Sequence, residues 1–273
     1  MYTPSNKIDS SCPLWTMRFP KLRLLSISRW NFDIVDDFFL AHSPDQFSFR
    51  KNELQSIRFC TESNSNGKHS LGIRALSGDP DFLHEIFMRY PTKISPYLCS
   101  LTIVPMSVEN KLMQVTLLSL EIMLEQLYND YPQPPLPALT TVMQAFTHSS
   151  APFQWDLMDS DFIFRQLIRL VKLAPRSLES WKGAIIPVPG LTPEKLAEVF
   201  EHSTKIKDIC ISTNLVPHHG VEGDYAFALT ARCPSLKEVT FENFVGMRRE
   251  LKKLVVVREG SENSPRIINF TEA

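Results

Sequence analysis

The residues best suited to chemistry are the adjacent pair His218-His219, followed by Gly220, and the more distant His148. Imidazoles bind metals and relay protons near neutral pH. Adjacent side chains point apart in most backbone conformations, and no Glu-x-x-His or cysteine partner stands at a ligand spacing from the pair, so His218-His219 reads as loop decoration. His84 and His202 fall on helical segments and read as ordinary helix residues. Neither a G-x-S-x-G elbow, a G-x-x-x-x-G-K-S/T loop nor a G-x-G-x-x-G turn occurs, which removes the minimal support for hydrolase and nucleotide chemistry. The five cysteines, Cys12, Cys60, Cys99, Cys210 and Cys233, are scattered and never form C-x-x-C. That pattern matches neither a disulfide framework nor a zinc module, and fits a reducing compartment, cytoplasm or nucleus. No cofactor or metal is expected.

Charge narrows the partners. Lysine plus arginine, 29, nearly balances aspartate plus glutamate, 30, so no overall field draws the chain to nucleic acid or to an anionic membrane. Two local basic stripes remain: Arg165, Arg169 and Lys172 at helical spacing, and Arg248, Arg249, Lys252 and Lys253 near the end, both with acidic neighbours that favour a solvated face. The most apolar run, Leu112 to Leu124, is broken by Gln114, Thr116, Ser119 and Glu121 and is shorter than the roughly 18–20 residues a bilayer requires. It predicts a buried helix. Residues 1–18 form a polar tail without the apolar stretch of a secretory signal.

The elements that would position any site are organised by a recurring phrase, L-x-x-L-x-L with aliphatic or aromatic substitutes. Its copies begin at Leu22, Leu54, Leu98, Ile206 and Leu236, and degraded copies begin at Leu139 and Leu178. The last two apolar positions lie two apart, on one face of a strand; their neighbours face the other way. Segments with helical spacing follow: Ile34 to Phe39, Phe82 to Tyr90, Ser107 to Asp130, Phe162 to Val171, Leu196 to Phe200 and Asp224 to Arg232. Thr192-Pro193-Glu194 forms an N-cap with proline at the first helical position. Pro44, Pro91, Pro132, Pro175 and Pro234 stop helices and release the chain. Strand starts separated by roughly 30–45 residues predict about seven irregular strand-helix units in one repeat domain over 19–258, loosened or interrupted at 133–155. Two strands joined by a polar turn, closing at 259–273, predict a capping hairpin.

Alternation of strand and helix predicts an α/β fold with a parallel sheet. Strands covered on both faces would be apolar on both. Here the alternate positions are polar or small, which predicts an open face: a leucine-rich-repeat-like curved solenoid, parallel sheet concave and helices convex. The candidate partner-binding residues on that face are Ser26, Ser28, Arg58, Thr102, Asp208, Ser212, Glu238, Thr240 and Glu242, with Trp30 beside the first strand. The expected transverse rows join Ser26, Arg58 and Thr102 at one end, and Asp208 or Cys210 with Glu238 or Thr240 at the other.

The phrases Phe19-Pro20-Lys21-Leu22-Arg23-Leu24-Leu25-Ser26-Ile27-Ser28 and Cys233-Pro234-Ser235-Leu236-Lys237-Glu238-Val239-Thr240-Phe241 resemble the irregular leucine-rich repeats that follow the F-box in fungal F-box proteins. The resemblance runs from about Phe19 to Val257. It implies a curved array that binds a protein substrate, and docking to a cullin-type ubiquitin ligase through an F-box. Residues 1–18 are too short to hold that helical module, so this chain is expected to supply the recognition part alone. The alternative reading is a hydrolase-like α/β enzyme with its site at the C-terminal strand ends, where His148, His218 and His219 would meet acidic residues.

Overall fold

Leu98, Leu139, Leu178, Ile206 and Leu236 each begin a strand in the same manner. Each is at most 1% exposed, and each backbone N–H donates to a carbonyl three or four residues upstream, at 2.9–3.2 Å. The contact turns the chain sharply at the corner, and the leucine seals the layer beneath. Two residues later the strand starts.

The computed structural model describes residues 24–27, 46–49, 55–63, 69–104, 110–144, 160–183, 192–212, 221–245, 248–258 and 265–272. Eleven strands form one sheet in strict chain order: β1 (Leu24–Ile27), β2 (Gln46–Phe49), β3 (Gln55–Ser63), β4 (His69–Gly78), β5 (Ser100–Ile103), β6 (Thr141–Gln144), β7 (Ser180–Gly183), β8 (Asp208–Ser212), β9 (Glu238–Val245), β10 (Arg248–Arg258) and β11 (Pro265–Glu272). The described helices are α1 (Pro80–Arg89), α2 (Pro91–Ile94), α3 (Asn110–Asp130), α4 (Ser160–Lys172), α5 (Pro193–Phe200) and α6 (Val221–Arg232). The expected helix at Ile34 to Phe39 lies outside the described residues, as does His218-His219.

From β4 to β9 every neighbouring pair is parallel. Helical crossovers between parallel strands are right-handed, so a sheet that always grows in one direction collects its helices on one face. The packing agrees: α1 touches α3, α3 touches α4, α4 touches α5 and α5 touches α6. The fold is α/β with a mostly parallel sheet.

A parallel sheet closed by a C-terminal hairpin was expected, and its parallel part needs correction at both ends. β2–β3, β3–β4, β9–β10 and β10–β11 are antiparallel. The reason is connection length. Residues 64–68, between β3 and β4, and 246–247, between β9 and β10, are far too few for a crossover of a dozen or more residues, so the chain can only fold back.

One register joins β1 to β10. Leu25, Phe47, Ile57, Leu76, Leu101, Val142, Trp181, Ile209, Val239 and Leu254 occupy a single transverse row. Ile57, Leu76, Leu101, Val142, Trp181, Ile209, Val239 and Leu254 are all buried. Their partners come from the helix layer: Leu83, Ile86 and Phe87 of α1, Met123 and Leu124 of α3, Leu167 and Leu170 of α4, Leu196 and Phe200 of α5, and Leu229 of α6 belong to the same core. The predicted cap at Thr192 holds, and a second one forms at Asp79. Thr192 Oγ1 accepts from the Lys195 N–H at 3.3 Å at the start of α5, and Asp79 accepts from the Phe82 N–H at 2.9 Å at the start of α1. Each oxygen satisfies one of the donors that a helix start leaves unpaired.

Candidate interaction surface

Because side chains alternate along a strand, the row that flanks the core row must lie on the sheet's other face. In register that flanking row runs Ser26, Ser48, Ser56, Ser77, Thr102, Met143, Lys182, Cys210, Thr240 and Lys253. A second row on the same face runs Arg58, Ala75, Ser100, Thr141, Ser180, Asp208, Glu238 and Val255. Beyond these, Ser212 pairs with Glu242.

This sorts the candidate residues. Ser26, Thr102 and Thr240 share one row; Arg58 does not join it, because β4 opposes Arg58 with Ala75 and opposes Ser56 with Ser77. Asp208 aligns with Glu238, and Cys210 with Thr240. Ser28 and Trp30 lie outside the described residues. Sequence reasoning missed Met143 and Lys182, which stand exposed in the middle of the face. The periodic signal that could have found them was present, since each follows the second apolar residue of a degraded repeat phrase.

The face has two chemical halves. From β4 to β6 its described positions are mostly hydroxyls, Ser77, Ser100, Thr102 and Thr141, with Ala75 and the thioether of Met143. At β8 and β9 it carries three carboxylates, Asp208, Glu238 and Glu242, flanked by Lys182 on β7 and Lys253 on β10. Glu238 is tied down twice: Lys253 Nζ stands 2.8 Å from its Oε2, and Thr240 Oγ1 donates to its Oε1 at 3.1 Å. Cys210 Sγ donates to Glu242 Oε2 at 3.8 Å. Asp208 lies one strand from Glu238, at the spacing of about 4.8 Å that neighbouring strands impose, so the two carboxylates concentrate negative potential on β8 and β9.

Elsewhere the helix layer neutralises its own charge. Arg169 of the predicted basic stripe pairs with Glu121 and Glu125 on α3. With Tyr128, Arg165, Ile168 and Lys172 it lines a shallow groove of about 380 Å³. Burial pushes the Tyr128 phenol well above its ordinary range, against the opposing pull of Arg169; its hydroxyl donates to the Arg169 carbonyl at 2.7 Å. Among the described residues no group of three or more His, Cys, Asp or Glu side chains is placed to hold a metal ion. Among them, too, no helix is long and apolar enough to cross a membrane. No protein-family model matches the chain, no curated protein matches it, and no solved structure matches it.

Proposed function

We propose that this chain is a non-catalytic protein-protein interaction module: a leucine-rich-repeat-like solenoid with the sheet on its concave face, which holds a partner protein against the open strand face. The observation that carries the reading is the common register of the parallel strands β4 to β9. It lines up polar side chains from consecutive strands on a face that no described helix covers. Such rows offer many hydrogen-bonding groups at fixed spacing, with little side-chain entropy lost on binding. The carboxylates of β8 and β9 favour a basic patch on the partner, and the hydroxyl rows of β4 to β6 favour a polar one.

The resemblance to fungal F-box repeats extends the proposal: the partner is a substrate selected for a cullin-type ubiquitin ligase, and this chain is the recognition part of the adaptor, at work in the cytoplasm or nucleus. Affinity purification from the source cell tests both levels. The paired substitutions Met143→Glu and Thr240→Arg on the sheet face should abolish the set of proteins retained, whereas Phe227→Ser on the exposed side of α6 should leave it intact. Retention of the same set by the sheet-face variant would end the open-face reading. Absence of cullin-ligase subunits from purifications of the full-length protein would end the ubiquitin reading alone.

A further inference from the structure

The N-terminal ends of β7 to β9 carry a second surface, which adjoins the open face at Val255. One hydrogen-bonded ladder runs along it: the Lys207 N–H donates to the Glu179 carbonyl at 2.7 Å, Lys237 to Lys207 at 2.8 Å, and Val256 to Lys237 at 2.8 Å. Glu179, Lys207 and Lys237 each immediately precede a parallel strand, β7, β8 and β9, so the three positions stack along the N-terminal ends of those strands. They line a groove of about 820 Å³, together with Lys205 and an apolar floor of Pro234, Leu236, Val255 and Val256. Three lysines face one carboxylate. Lys207 Nζ holds Glu179 Oε2 at 2.6 Å, and Lys205 and Lys237 are exposed. On a chain whose charges almost cancel overall, this is a local positive excess fixed by backbone rather than by mobile loops. The basic stripe on α4 differs, because Arg169 there is already matched by two glutamates.

We propose that this groove docks an acidic extended segment of a partner protein, with carboxylates meeting Lys205 and Lys237 and an aliphatic side chain resting on Leu236 and Val255. The floor selects the aliphatic group by burial; the lysines select charge and raise the encounter rate. The proposal is independent of the open-face reading.

The test is fluorescence anisotropy of the whole chain with a labelled peptide alternating glutamate and leucine. The expected result is binding that weakens as salt rises, falls by about ten-fold or more in Lys205→Glu/Lys237→Glu, weakens when serine replaces the leucines, and is unchanged in Met143→Glu/Thr240→Arg. Both lysines are exposed, so circular dichroism of the double variant should match the parent. Failure of the parent protein to bind at low salt, equal binding by the lysine variant, equal binding of a lysine-leucine peptide, or tighter binding of a single-stranded oligonucleotide would each overturn the proposal.

Discussion

Trp181→Ala strikes the middle of the core row. The side chain is fully buried, stands in register between Val142 and Ile209, and meets Phe200 of α5 edge to face at 5.7 Å between ring centroids. Truncating a buried tryptophan to alanine costs about 3–5 kcal/mol in lost transfer energy and residual cavity, and the aromatic pair accounts for roughly 0.5–1.5 kcal/mol of that. The indole Nε1 is buried and has no hydrogen-bond partner among the described residues. Trp181→Phe therefore gives up volume but no hydrogen bond, and should cost about 1–2 kcal/mol. Urea titration followed by far-ultraviolet circular dichroism measures both. A Trp181→Ala protein within about 1 kcal/mol of the parent would refute the placement of this side chain in the core. Equal damage from phenylalanine and alanine would refute the claim that packing, rather than a polar contact, is what the indole contributes.

Gly183 pairs with Gln144 across β6 and β7, and a Cβ there would stand 2.8 Å from the Gln144 carbonyl oxygen and 2.9 Å from its backbone nitrogen; Gly183→Ala should lose about 1–3 kcal/mol in the same urea assay, and a neutral result would contradict the close approach. The hydrogen bond from Lys207, and then the charges of Lys207 and Lys205, hold the Glu179 carboxyl below the usual carboxylate range. Its folded pKa is thus lower than its unfolded one, so the pair's contribution is complete above the ordinary carboxylate pKa and disappears as pH falls through the depressed value; carboxyl NMR titration should show Glu179 moving up in Lys207→Met, and no movement would exclude that cause. Burial, and secondarily the charge of Asp130, pushes the Tyr131 phenol upward while its hydroxyl donates to the Phe87 carbonyl at 2.7 Å. The unfolded phenol then ionises first, so stability present below about pH 10 declines as pH rises beyond it; Tyr131→Phe should remove part of that decline in alkaline unfolding curves, and an unchanged curve would count against it.

Most of the strand grammar was legible because burial imposes it directly. The L-x-x-L-x-L phrase marks a corner leucine and two inward side chains, and the degraded copies at Leu139 and Leu178 prove to be strands β6 and β7, with Val142 and Trp181 in the core row. β4 escaped notice for a physical reason. Its register with β3 shifts between Arg58 and Phe59, so that Ala75 opposes Arg58 while Ile73 opposes Phe59. Arg74 is the extra residue, and the inward positions Ile73 and Leu76 fall three apart instead of two. A period of two cannot detect such a strand, although Asn66-Gly67 between β3 and β4 is a strong hairpin signal. The open face was readable by alternation, but not which residues share a row. Whether Arg58 aligns with Thr102 is set by the antiparallel pairing of β3 with β4, which opposes Arg58 with Ala75 and Ser56 with Ser77. The lysine groove was illegible, since Lys207 and Lys237 become neighbours only through strand register.

The open strand face, not the helix layer, is the surface proposed to meet the partner. Site-specific photo-crosslinking in the source cell addresses it directly, with the photoreactive residue placed either at Met143, 41% exposed on the sheet face, or at Phe227, 62% exposed on α6. A discrete protein adduct is expected from position 143, suppressed by Thr240→Arg, and none from position 227. An adduct from position 227 alone, or one at position 143 that Thr240→Arg leaves untouched, would contradict the open-face proposal.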